Sequence, residues 1–203
     1  GILIVWFTFG HYKFSRFSLG KVVPAAKWKA MTICTMPSLG FTMVFYSIMN
    51  LFHLDFVPKQ IMEMSYLGFL PFNIMGSFIS VYIFFGAIQE ELIRCGKKRW
   101  VQLLTLSIMM LPASMMSATP SGDINVDLTV LGFISLCYGS WIYGKTRSTI
   151  ILIVLYFVSN LVPFHFESKA LGIVLLIAGT ALTLGGFAAL SRKLPEMLVK
   201  DEN

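Results

Sequence analysis

Six stretches of this chain carry no Asp, Glu, Lys or Arg, and each is about as long as a bilayer is thick: residues 30–52, 64–89, 100–119, 128–144, 148–164 and 170–190. An α-helix rises 1.5 Å per residue, so about 20 apolar residues cover the ~30 Å hydrocarbon core of a membrane. The stretches are apolar around their whole circumference, which leaves a water-soluble fold no polar face to present. Composition agrees: 56% of the 203 residues are hydrophobic, 13% are charged, and the mean hydropathy is +0.75. The expected fold is all-α, a polytopic transmembrane helical bundle forming a single transmembrane domain over residues 1–203.

The loops between the stretches alternate in basic content. One set holds Lys13, Arg16, Lys21, Lys27 and Lys29, then Arg94, Lys97, Lys98 and Arg99, then Lys145 and Arg147, then Arg192, Lys193 and Lys200. The other set holds only Lys59 and Lys169. Such an excess marks the cytoplasmic side. It predicts a cytoplasmic C-terminus and, as the simplest host, a bacterial cytoplasmic (inner) membrane. Trp28, Trp100, Trp141 and Tyr143 lie beside these basic residues, at the headgroup level that amphipathic rings prefer. The net charge of +6 is therefore read as topology and attraction to anionic lipid, not as a nucleic-acid surface.

Residues 1–9 are apolar but short and run straight into the basic segment 11–29, so they read as the end of an earlier helix, giving six complete spans plus a fragment. They lack the charged start of a signal peptide. In the basic segment Tyr12, Phe14, Phe17 and Val22 are interleaved with Lys13, Arg16 and Lys21, which suits either a segment lying on the membrane surface or a plain anchoring loop. Pro37, Pro71 and Pro112 fall inside spans and are expected to kink them. Ala181, Gly185 and Ala189 recur every four residues in the last span and are expected to pack against another helix. Cys34, Cys95 and Cys137 fall singly and imply neither a disulfide framework nor a zinc motif.

Chemistry in a membrane protein is sought where polar groups enter the apolar region against their solvation cost. Two places qualify. Gln89-Glu90-Glu91-Leu92-Ile93-Arg94 closes the second span, and Glu90 and Arg94 stand four apart on one face in the favourable order for an ion pair. Tyr156 and Asn160, also four apart, share a face in the fifth span. Both sets are equally explained as structural pairs that fasten helices. No span contains a histidine, so an intramembrane zinc site lacks ligands. His53, Asp55, Asp123, His165 and Glu167 are expected on the outer side, where loop residues are usually just solvated. No metal and no cofactor is expected.

The run from Gln89 to Arg94, followed by a basic turn and another span, resembles the Glu-Glu-x-x-x-Arg motif of the CPBP family, the CAAX-protease and bacteriocin-processing type of intramembrane protein. Residues 132–160, with Tyr138, Gly139, Tyr143, Thr146 and Ser148, resemble that family's third conserved region, which ends in His-x-x-x-Asn and here reads Tyr156-Phe157-Val158-Ser159-Asn160. The resemblance covers a core of about residues 64–163. It implies a site made of Gln89, Glu90, Glu91, Arg94, Tyr156 and Asn160, with three substitutions at catalytic positions. Gln89 stands where the water-activating Glu is expected, residues 100–119 lack the histidine of the second motif, and Tyr156 replaces the histidine of the third. An amide cannot take up a proton as a carboxylate does.

The resemblance therefore implies a member that has shed hydrolysis and acts by binding, as an accessory or scaffold subunit of a membrane complex. Its expected partners are membrane lipids, a membrane protein, and a lipidated or leader peptide. The alternative enzyme reading is a glutamate-dependent endopeptidase using Glu90 or Glu91 as base, with Tyr156 and Asn160 holding the oxyanion. A transporter or channel is a third reading, resting on several helices with internal prolines.

Overall fold

The computed structural model describes residues 20–52, 66–116, 126–162 and 168–199. Residues 1–9, the interleaved segment around Tyr12 to Phe17, Lys59, and the outer residues His53, Asp55, Asp123, His165 and Glu167 lie outside these. The described residues are predominantly helical, with one isolated antiparallel bridge, Val22 to Leu198, and no named strand among them. The helices are a 3-10 turn (Pro24–Ala26) leading into α1 (Lys27–Leu51), α2 (Tyr66–Ser80), a π-helical segment (Val81–Gln89), α3 (Glu90–Arg94), α4 (Arg99–Met116), α5 (Val126–Thr146), α6 (Thr149–Ser159) and α7 (Lys169–Met197). Among the described residues, three helical stretches are long and apolar enough to cross a membrane: Pro24–Leu51, Ile74–Arg94 and Lys169–Met197. By length and composition these helices suit a membrane protein.

Within the helices, several hydroxyl groups avoid bare burial by donating to the carbonyl one turn back. Thr35 donates to Met31 O at 2.7 Å, Ser47 to Met43 O at 2.7 Å, Ser107 to Leu103 O at 2.7 Å and Thr146 to Ile142 O at 2.9 Å. Each such bond hides a donor that hydrocarbon cannot satisfy, so Ser and Thr are carried into apolar segments at low cost.

Contacts divide the chain into two compact units, one containing Gly1–Gly20 and Met75–Ile153, the other Lys21–Ile74 and Val154–Asn203. In the second unit α1 and α7 run antiparallel, tied at one end where Val23 N–H donates to Met197 O at 3.0 Å and Val199 N–H to Lys21 O at 2.7 Å. Their seam is made by glycine. A methyl added at Gly40 would stand 2.5 Å from Gly179 O, one at Gly179 would stand 2.7 Å from Gly40 O, and one at Gly186 would stand 2.7 Å from the Pro37 ring. Gly172, Gly179 and Gly186, spaced by seven, are buried in α7.

The small-residue stripe expected from the sequence is thus corrected. Gly185 is exposed with open space about it and Ala181 is exposed, whereas the neighbouring glycine Gly186 makes the close approach. The opposite side of α7 presents Ile173, Val174, Ile177 and Leu184 outward, as lipid-facing residues would be. Pro37 lies inside α1 and contributes its ring to the seam; Pro71 lies inside α2.

In the first unit the Ile74–Arg94 stretch changes winding. Its π-helical part ends at Gln89, directly before Glu90. A π-helix bonds i to i+5, and such segments concentrate at functional sites. The wider winding sets which neighbours Gln89 and Glu90 meet.

Candidate functional site

Gln89 is 1% exposed and stands in a polar cluster between helices. Its Nε2 donates to Ser140 O on α5 at 3.0 Å and to Gln102 Oε1 on α4 at 3.3 Å. Gln102 Nε2 in turn donates to Lys97 O at 2.9 Å. These bonds fix the amide's direction, because turning it over would set its oxygen against two acceptors. Gln89 Oε1 and the fully buried Ser140 Oγ have no hydrogen-bond partner among the described residues. Orphans of this kind cost about 1–3 kcal/mol each, so the cluster favours the amide through its donors alone.

Glu90, the next residue, points elsewhere. Its side chain is 19% exposed, and Oε2 accepts from Tyr143 Oη and from Arg147 Nη1, both at 2.8 Å. Its other oxygen lies 3.6 Å from Arg94 Nε, the i,i+4 pair expected from the sequence. Glu91 faces outward at 52% exposure, 3.9 Å from Arg94 Nη1, too long and too solvated a pair to hold anything. Two carboxylates and two guanidinium groups leave the cluster with no net charge. The short, charge-assisted bonds to Glu90 are its strong members.

Arg147 reaches Glu90 from an unusual backbone. It follows the last residue of α5 with φ 53°, the left-handed conformation that ends many helices and is normally given to Gly. Its N–H still bonds Tyr143 O at 2.7 Å, closing the final turn. Against this turn lies Gly20, φ 61°, where a methyl would stand 2.1 Å from Thr146 O. A left-handed Arg costs roughly 1–2 kcal/mol, which the ion pair with Glu90 offsets.

Tyr156 lies in the last turn of α6, and Asn160 is the first residue past it, with Asn160 N–H donating to Tyr156 O at 3.1 Å. Both belong to the second unit, whereas Gln89, Glu90, Glu91 and Arg94 belong to the first. Within the first unit Gln89, Glu90, Glu91 and Arg94 are neighbours at one helix end, and only Glu90 and Arg94 are joined as the sequence predicts. The structure adds Tyr143, Arg147, Gln102 and Ser140, of which sequence reasoning used Arg147 only as a topology charge and Tyr143 only as a headgroup aromatic and a family position. Pairing across 53 and 57 residues leaves no local signal.

Among the described residues no three of His, Cys, Asp and Glu gather where they could hold a metal ion. No family model matches the chain, and neither the curated proteins nor the solved structures contain a match to it.

Proposed function

We propose that this chain is a polytopic protein of the bacterial cytoplasmic membrane, with six complete spans, a cytoplasmic C-terminus and a CPBP-like site that has given up hydrolysis and kept recognition. It serves a membrane complex as an accessory or scaffold subunit, contacting lipid, a membrane-protein partner and a lipidated or leader peptide. One observation carries the reading: the amide of Gln89 uses both N–H groups as donors to Gln102 Oε1 and Ser140 O. A glutamate in its place would set a carboxylate against two acceptors, so the surroundings suit an amide and oppose a general base. The two remaining carboxylates support the same view, since Glu90 has a phenol and a guanidinium at 2.8 Å and acts as a clasp between helices, while Glu91 faces outward beside Arg94.

The test is purification from the native membrane in mild detergent. A stoichiometric membrane-protein partner that is retained through a second affinity step supports the proposal. A monomer that cleaves a prenylated or leader peptide, with activity lost in Glu90→Ala, overturns it.

A further inference from the structure

The second unit contains a groove that the proposed function does not use. It has a volume of about 300 Å³ and runs between α1 and α6, lined by Trp28, Met31, Thr32, Thr35, Met36 and Leu39 together with Val154 and Val158. The α1 residues recur at three- and four-residue intervals, so they form one face of the helix. Two threonines do not make the groove polar. Thr32 Oγ1 donates to Trp28 O at 3.0 Å and Thr35 Oγ1 to Met31 O at 2.7 Å, which spends both hydroxyl hydrogens on the helix backbone.

The dimensions match one membrane leaflet. Trp28 to Leu39 spans eleven residues, roughly 16 Å of helix, about half of the ~30 Å hydrocarbon core. The deep end is closed by a cross-helix bond, Ser159 Oγ donating to Ser38 Oγ at 2.8 Å, next to Leu39 and Val158. The shallow end opens at Trp28, 71% exposed, with Lys27 Nζ 5.0 Å over its ring and the exposed Lys29 on the other flank. The tie between Val23 and Met197 brings Arg192 and Lys193, five and four residues before Met197, toward the same level.

From an apolar slot one leaflet deep with a cationic, indole-lined mouth, we infer that α1 and α6 hold one acyl chain of an anionic phospholipid from the cytoplasmic leaflet, its phosphate between Lys27 and Lys29. An acyl chain gains little by leaving lipid for an equally apolar groove, so the preference among lipids comes from the headgroup, at about fivefold per lysine. The inference is independent of the family resemblance and requires only membrane insertion.

A chain with Trp6, Trp100 and Trp141 changed to Phe leaves Trp28 as the reporter at the mouth. Reconstituted in phosphatidylcholine vesicles, its fluorescence is titrated with phosphatidylglycerol brominated on the acyl chain, and separately with phosphatidylcholine brominated at the same carbons. The expected result is quenching by the anionic lipid far above its mole fraction, relieved by unlabelled phosphatidylglycerol. Lys27→Ala and Lys29→Ala each weaken that preference about fivefold, and Val158→Trp, in the same chain with Trp28 read by its time-resolved component, removes it by filling the groove. Equal quenching by both lipids, or a preference unchanged in the double lysine variant, overturns the inference. The titration itself needs no substitution in the groove, so a Val158 variant that fails to fold leaves it decisive. A co-purifying protein or lipidated peptide that blocks quenching by either lipid also overturns it.

Discussion

Changing Gln89 to Glu is the smallest substitution that puts a carboxylate at the position where the CPBP motif it resembles has one, and the structure assigns it a cost. The amide donates twice, to Ser140 O at 3.0 Å and to Gln102 Oε1 at 3.3 Å, from a residue 1% exposed. A protonated acid has one donor and restores one of these bonds; a carboxylate restores neither and is left buried without a partner cation. The lost hydrogen bond leaves one buried acceptor unpaired, which costs about 1–3 kcal/mol. For a chain of this size each 1 kcal/mol lowers the melting temperature by about 2–4 °C, which predicts a fall of roughly 2–12 °C. Thermal unfolding of the two proteins in the same nanodiscs, followed by circular dichroism, measures it. A Gln89→Glu variant as stable as the parent refutes the idea that these surroundings are built for an amide.

Three further outcomes are expected. Arg147→Ala loses the tighter partner of Glu90 and destabilises by about 1–3 kcal/mol, whereas Arg147→Gly loses less by about 1 kcal/mol because glycine takes the positive φ freely; chemical unfolding of both variants separates ion pair from backbone. Gly186→Leu drives a side chain into the Pro37 ring and separates α1 from α7, while Gly185→Ala, facing open space, is neutral or stabilising by up to about 1 kcal/mol, as read by detergent-denaturation midpoints. Glu91→Gln changes stability by less than about 0.5 kcal/mol, since the pair it removes is exposed and 3.9 Å long; a melting curve superimposable on the parent's is the expected result.

The all-helical character is legible in the chain because long apolar runs favour helices, and three of the stretches form helices long and apolar enough to cross a membrane among the described residues. The details that decide the site are less so. Glu90 and Arg94 meet as their spacing foretells, at 3.6 Å, yet the stronger partner of Glu90 is Arg147 at 2.8 Å, a contact that only tertiary packing produces. The apolar run Val81–Ile88 reads as a continuous α-helix, and its π winding is not expected from the sequence. The four-residue stripe at Ala181, Gly185 and Ala189 suggested a seam, but the seam uses a seven-residue glycine spacing that meets Pro37 and Gly40. Small residues permit close approach without requiring it, so partner geometry selects among them. Tyr156 and Asn160 do share a turn, at the very end of α6 and not within a longer span.

The central claim is that the site recognises without hydrolysing, and it is tested most directly by reconstituting the purified protein with a prenylated peptide and a leader peptide and following cleavage by mass spectrometry. The account predicts intact peptide with the parent chain and with Gln89→Glu, with or without added zinc. Cleavage by either protein that disappears on Glu90→Ala would contradict it.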